Sequence, residues 1–153
     1  MVCCIIGQFD FPRTSRHIDL RTLGPGYYGL VFQHLKQLWK DDTALVEDIN
    51  IHEHKGAETF TGSVRSYSHM RIKSLRYGAA TAHRGKSARY AYINTREPVE
   101  IQYIFQAELR REHAPSLLAD FALIRKFQRG DDLPRFPWDL WYVYCIFEAP
   151  STN

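Results

Sequence analysis

Residues 59–93 read TFTGSVRSYSHMRIKSLRYGAATAHRGKSARYAYI. Much of this stretch alternates with the two-residue period of a β-strand. In TFTGSVRSY, Phe60, Gly62, Val64 and Ser66 share one face, and Thr61, Ser63, Arg65 and Tyr67 the other. From Met70 to Leu75, Met70, Ile72 and Ser74 alternate with Arg71, Lys73 and Leu75. Gly78 to Gly85 reads as a loop. Ser87 to Ile93 reads as a third strand, with Tyr90 and Tyr92 on one side and Arg89, Ala91 and Ile93 on the other. Aromatic side chains suit a pleated, half-buried surface, and the whole chain is 14% aromatic, so a β-rich core is expected.

The same stretch is chemically uneven. Arg65, Arg71, Lys73, Arg76, Arg84, Lys86 and Arg89 give it a formal charge of +7, with no Asp or Glu. Residues 1–58 and 94–153 each carry a net −2, so the chain's +3 conceals one concentrated basic block. Tyr67, Tyr77, Tyr90 and Tyr92 are interleaved with these cations. Cations pair with phosphates, and aromatic rings offer stacking faces to unpaired bases. A β-surface presenting Arg65, Tyr67, Arg71, Lys73, Arg76, His83, Arg84, Lys86 and Arg89 is therefore a candidate nucleic-acid platform. Two other readings stand beside it: a solvated face whose charges simply meet water, and a contact for an acidic protein.

N-terminal to this block, TALVEDINIHEH reads as a short helix running into a strand, and Lys55-Gly56 as a turn. Before it, about Tyr27 to Lys40 reads as a helix. Tyr28, Val31, Phe32, Leu35, Leu38 and Trp39 form an apolar stripe at the helical period. Such a stripe docks on the chain's own sheet or binds a partner, and Tyr28, Phe32, Leu35 and Trp39 are its candidate partner contacts. Residues 1–25, broken by Pro12, Gly24 and Pro25, read as an irregular arm. C-terminal to the block, strands are expected at Val99–Phe105, Leu118–Phe127 and Leu140–Phe147, with a tail at 149–153. The segment Asp131–Trp141, rich in Pro and Trp, reads as a closing wrap or an aromatic peptide pocket. The expected organisation is an arm (1–25), a helix and connector (26–58), a β-domain (59–148) and a tail. Its class is mostly β, within α+β: a small antiparallel barrel or sandwich with the N-terminal helix packed on it.

Candidate chemistry is sparse. His52-Glu53-His54 with Glu58 has the H-x-H-x-x-x-E spacing of a cupin metal site, but no Gly-rich run with a third histidine follows. There is no G-x-S-x-G, H-E-x-x-H or P-loop. Cys3, Cys4 and Cys145 do not form a disulfide framework, and Cys145, in an apolar run, is expected to be an inert buried thiol. The N-terminus lacks a signal-peptide pattern, Val2 excludes myristoylation, and no apolar run is long enough to span a membrane. An intracellular protein without cofactor or metal is expected.

The run RIKSLRYGAATAHRGKSARYAYI, then PVEIQYIF, then FALIRKFQRGDDLPRFPWDLW, resembles the C-terminal accessory region of proteins encoded by fungal DNA transposons of the CACTA and related groups. The residues carrying the likeness are Gly62, Val64 and Arg65, then Pro98, Ile101, Ile104 and Phe105, then Arg125, Lys126 and Phe127. The strand order is also similar to the SH3-like barrel of BAH-type chromatin modules. The resemblance spans about Thr59 to Trp141. It implies a non-catalytic, transposon-derived remnant whose partner is DNA or a chromatin protein; with the basic surface, which suits DNA or RNA, the expected location is nuclear. The alternatives are a protein–protein adaptor using the aromatic helix or the Pro/Trp segment, and a cupin-like metal-dependent enzyme.

Overall fold

The computed structural model describes residues 2–6, 9–47, 57–93, 97–111 and 113–127. In chain order the elements are β1 (Val2–Ile6), β2 (Arg16–Asp19), a 3-10 turn (Leu20–Leu23), α1 (Tyr27–Leu38), β3 (Leu45–Glu47), β4 (Glu58–Phe60), β5 (Ser63–Tyr67), β6 (His69–Ile72), β7 (Leu75–Gly78), a second 3-10 turn (Lys86–Ala88), β8 (Tyr90–Ile93), β9 (Glu97–Leu109) and β10 (Leu117–Lys126). Among the described residues the class is mostly β with one α-helix, as expected. The strand pairings among the described residues do not close into a barrel. The chain forms two compact units interleaved in sequence: residues 1–14, 67–104 and 121–153, and residues 15–66 and 105–120. Strands β9 and β10 contribute residues to both.

In the first unit, β1 runs antiparallel to β10, with Val2 opposite Arg125 and Ile6 opposite Phe121. Strand β8 runs antiparallel to β9, with Tyr90 opposite Glu100 and Ile93 opposite Glu97. Strands β6 and β7 form a separate antiparallel hairpin. Its inward residues Met70 and Tyr77 join Phe9, Tyr67, Ala91, Val99, Ile101, Ile104 and Ile124 in one buried cluster. An isolated hairpin is marginal in water. This one is held by that burial and by a bridge from Asp10, whose N–H and C=O exchange hydrogen bonds with Arg71 at 3.0 and 2.8 Å.

In the second unit, β2 pairs antiparallel with β5, from Arg16 opposite Ser66 to Asp19 opposite Ser63. The short β3 and β4 pair in parallel. Alternation is plain in the later part of β9, where Phe105, Ala107 and Leu109 are buried and Gln106 and Glu108 between them are not. Helix α1 uses its stripe inside this unit and lies against β3. Val31, Phe32, Leu35 and Trp39 are buried. Tyr28 stacks between Phe32 and Phe60, at 5.9 and 6.1 Å between ring centroids, and its hydroxyl donates to the Phe60 carbonyl at 3.0 Å.

Several expectations need correction. Residues 1–25 are not an irregular arm throughout: they hold β1, β2 and a 3-10 turn. Thr59–Tyr67 is two strands, broken at Gly62, whose φ of +85° belongs to the left-handed region. Met70–Leu75 is not one strand but the end of β6, a turn at Lys73-Ser74 and the start of β7. That turn has no Gly, Asn or Pro to announce it. Lys73 itself takes the left-handed conformation, at φ +56°. Residues 43–47 hold a strand with no preceding helix. The turn at Lys55-Gly56, His52, His54, the Pro/Trp segment, the strand expected at 140–147 and Cys145 lie outside the described residues.

Candidate nucleic-acid interface

The hairpin sorts its residues cleanly by face. Across it His69 stands opposite Gly78 and Arg71 opposite Arg76, while Met70 opposes Tyr77 and Ile72 opposes Leu75. Directly opposed residues point the same way, as do residues two apart. One face is therefore apolar, with Met70 and Tyr77 buried in the core, Ile72 half-buried and Leu75 exposed near the tip. The other carries His69, Arg71, Arg76 and Gly78. Arg71 and Arg76 are both exposed, and they form a like-charged cross-strand pair, an arrangement that destabilises a sheet.

The loop after β7 is laid on the same face. A Cβ at Gly78 would sit 2.1 Å from the Gly85 carbonyl oxygen, and one at Gly85 would sit 2.4 Å from the Ala79 oxygen and 2.6 Å from the Ser68 oxygen. Only two glycines permit this approach. Gly78 lies two residues from Arg76, about 7 Å along a strand. The loop thus brings Arg84 and Lys86, the neighbours of Gly85, to the base of the basic face. The loop is pinned throughout. Ala79 N–H donates to the Ser68 carbonyl at 3.0 Å and Ala80 N–H to the Ile101 carbonyl at 2.8 Å. The Thr81 hydroxyl donates to the Gln102 carbonyl at 2.7 Å. Successive i→i+3 bonds follow from Ala82, Gly85 and Ala88.

Arg89 braces this loop. Its Nε donates to Glu100 at 2.9 Å, its Nη1 to the Lys86 carbonyl at 2.5 Å and its Nη2 to the Tyr90 hydroxyl at 2.6 Å, with the guanidinium 4.4 Å from the Tyr90 ring centroid. Glu100, 6% exposed, also accepts from Gln102 at 2.7 Å and from Arg125.

The structure therefore divides the expected contact residues. Arg71, Lys73, Arg76, Arg84 and Lys86 are exposed, and none of them forms an ion pair among the described residues. Asp10, opposite Arg71, is the one carboxylate-bearing neighbour in the strand register. His83 is exposed in the loop. Arg89 is committed to positioning the loop. Arg65 belongs to the other unit and pairs with Glu108 at 2.9 Å. There it lines a groove of about 270 Å³ with His17, Thr61, Ser63, Glu108 and Arg110. The tyrosines are not an open stacking surface. Tyr67 lies flat on Phe11, with centroids 4.1 Å apart, and Tyr77 is buried. Tyr90 faces Phe127, centroids 6.1 Å apart, and Tyr92 packs against the core cluster.

His69 has its pKa lowered from the ordinary 6.5 by burial, with Arg76 and Arg71 adding repulsion. The expected partner contacts Phe32 and Leu35 on α1 and Trp39 at its C-terminal cap are buried within the second unit, with Tyr28 half-buried beside them. Burying a large apolar side chain contributes roughly 1.5–3 kcal/mol. Withdrawing such a stripe to serve a partner would cost as much as a domain's whole stability, of order 5–15 kcal/mol. Glu58 opens β4. Among the described residues no group of three or more His, Cys, Asp or Glu could hold a metal ion. No helix among them is long and apolar enough to cross a membrane.

Reasoning from sequence alone missed the cross-strand Arg71–Arg76 pair and the Gly78–Gly85 approach. Two glycines seven residues apart around a loop were the only signal for the second. Comparison with protein-family models, curated proteins and solved structures finds no match for this chain.

Proposed function

We propose that the chain is a non-catalytic nucleic-acid-binding module, of SH3-like or BAH-like form, that contacts phosphates through the outer face of β6–β7 and the loop laid on it. One observation carries this reading: five exposed cations, without an ion pair among the described residues, on a braced surface, two of them directly opposed at a cost to the sheet. A solvated face has no need to hold two arginines side by side. An anionic ligand would turn that repulsion into attraction. The transposon-encoded accessory regions that the sequence resembles point the same way, toward DNA or chromatin in a nucleus.

The test is retention on immobilised heparin and a mobility shift with DNA and RNA at two salt concentrations. Neutralising about five phosphates gives a slope of log K against log salt near −4 to −5 on a duplex. Replacing Arg84 and Lys86 together with Ala should flatten that slope by about 2 without unfolding the protein. Failure to bind either heparin or any nucleic acid at 50 mM salt would rule the function out.

A further inference from the structure

We infer that the ligand is a duplex, gripped by its phosphate backbones, and not a single strand read through its bases. This rests on the function proposed above and narrows it. Binding to single strands draws on base–aromatic stacking, and the four tyrosines that the basic block offers for it are engaged. Tyr67 is covered by Phe11 and Tyr77 is buried. Tyr90 has the Arg89 guanidinium over its ring and the tilted Phe127 ring as a neighbour, and Tyr92 packs on the core cluster. What this surface presents is mainly charge: Arg71 and Arg76 side by side, Lys73 at the hairpin tip, and Arg84 and Lys86 flanking Gly85 at the base.

A surface of bare cations prefers the polyanion with the denser charge. Duplex DNA carries one charge per about 1.7 Å of axis against about 3.4 Å for one of its strands, and it releases more counterions per phosphate contacted. With about five contacts, the duplex gains roughly tenfold in affinity over the single strand at 0.1 M salt. Recognition is by backbone, so base sequence changes little. The hairpin suits the task mechanically. A two-stranded ribbon is narrow enough to lie along a groove, and here Met70 and Tyr77 anchor its apolar side while Arg71 and Arg76 on the basic side are exposed.

The experiment measures binding of the full chain to a labelled 20-base-pair DNA duplex, its separated strands and the matching RNA duplex, by fluorescence anisotropy across a salt series. The expected result is tighter binding to duplex, by about tenfold at 0.1 M salt, with a steeper salt slope than for single strands. Arg71→Gln and Arg76→Gln should each reduce the duplex slope by about 1. Each should also raise the unliganded melting temperature by about 1–2 °C, because the like-charged pair is relieved. Equal or tighter binding to single strands, with the same arginine dependence, overturns the duplex inference and leaves the proposed function standing. Absence of binding to every probe overturns both. Duplex binding unaffected by Arg71→Gln and Arg76→Gln, in variants that melt no lower than the parent, removes the hairpin as the site.

Discussion

Residue by residue, cost and purpose separate clearly in two histidines. His34, on α1, has Nε2 buried without a hydrogen-bond partner among the described residues, and burial lowers its pKa from 6.5. His69 is lowered too. A histidine whose folded pKa lies below its unfolded value binds protons more readily when unfolded. Its contribution to stability is complete above about pH 6.5 and is lost as the pH falls through that value toward the folded pKa. Urea denaturation should therefore show falling stability from pH 7.5 to 5. His34→Leu should raise stability by about 1 kcal/mol, since an unsatisfied buried nitrogen is removed, and should flatten the pH curve, leaving the share of His69. Lys73 shows a cost of another kind, a left-handed backbone in a residue that disfavours it. The two-residue period carried straight through this position and placed Lys73 beside Arg71. Alternation marks faces, but it does not register a reversal made by an ordinary side chain.

At the scale of elements, the hairpin and its loop act as one part. Hydrogen bonds, the Gly78–Gly85 contact and Arg89 hold the loop in place, so Arg84 and Lys86 are presented at little ordering cost. Gly78→Ala would drive a methyl group into the Gly85 carbonyl. It should destabilise the protein by about 3 kcal/mol, at the upper end for overpacking. It should also weaken the proposed duplex binding through displacement of the loop, although no cation is removed. Thermal melts and binding titrations of this variant, beside Arg84→Ala, check both effects. Helix α1 was legible down to its start at Tyr27, because a 3.6-residue apolar stripe after Gly24-Pro25-Gly26 has few other readings. What covers that stripe was not legible: the periodicity of a docked helix and of a partner-binding helix is the same.

On the scale of the whole molecule, two compact units are drawn from interleaved segments, and buried polar groups help fix the register of the first. Glu100 gathers Arg89, Gln102 and Arg125 from three stretches of chain. Glu100→Gln removes the charge and one of the two acceptor oxygens, so the donors on one side, Arg89 or Gln102 and Arg125, would face an amide N–H. It should cost about 2 kcal/mol and loosen the loop that Arg89 braces, which denaturant melts and amide exchange at Lys86–Ala88 can follow. The sequence by itself determined the mostly β class, the helix, the long strands β9 and β10 and the existence of one basic block, because these depend on local period and composition. Tertiary structure decided which of that block's charges are free. Arg65 and Arg89 meet Glu108 and Glu100 only once β9 is in place, and Tyr67 and Tyr77 are buried only once the hairpin closes on its core. A charge count treats all seven cations alike; folding pairs two of them with acids and leaves five exposed, because ion pairs and burial depend on distances that only the assembled chain sets.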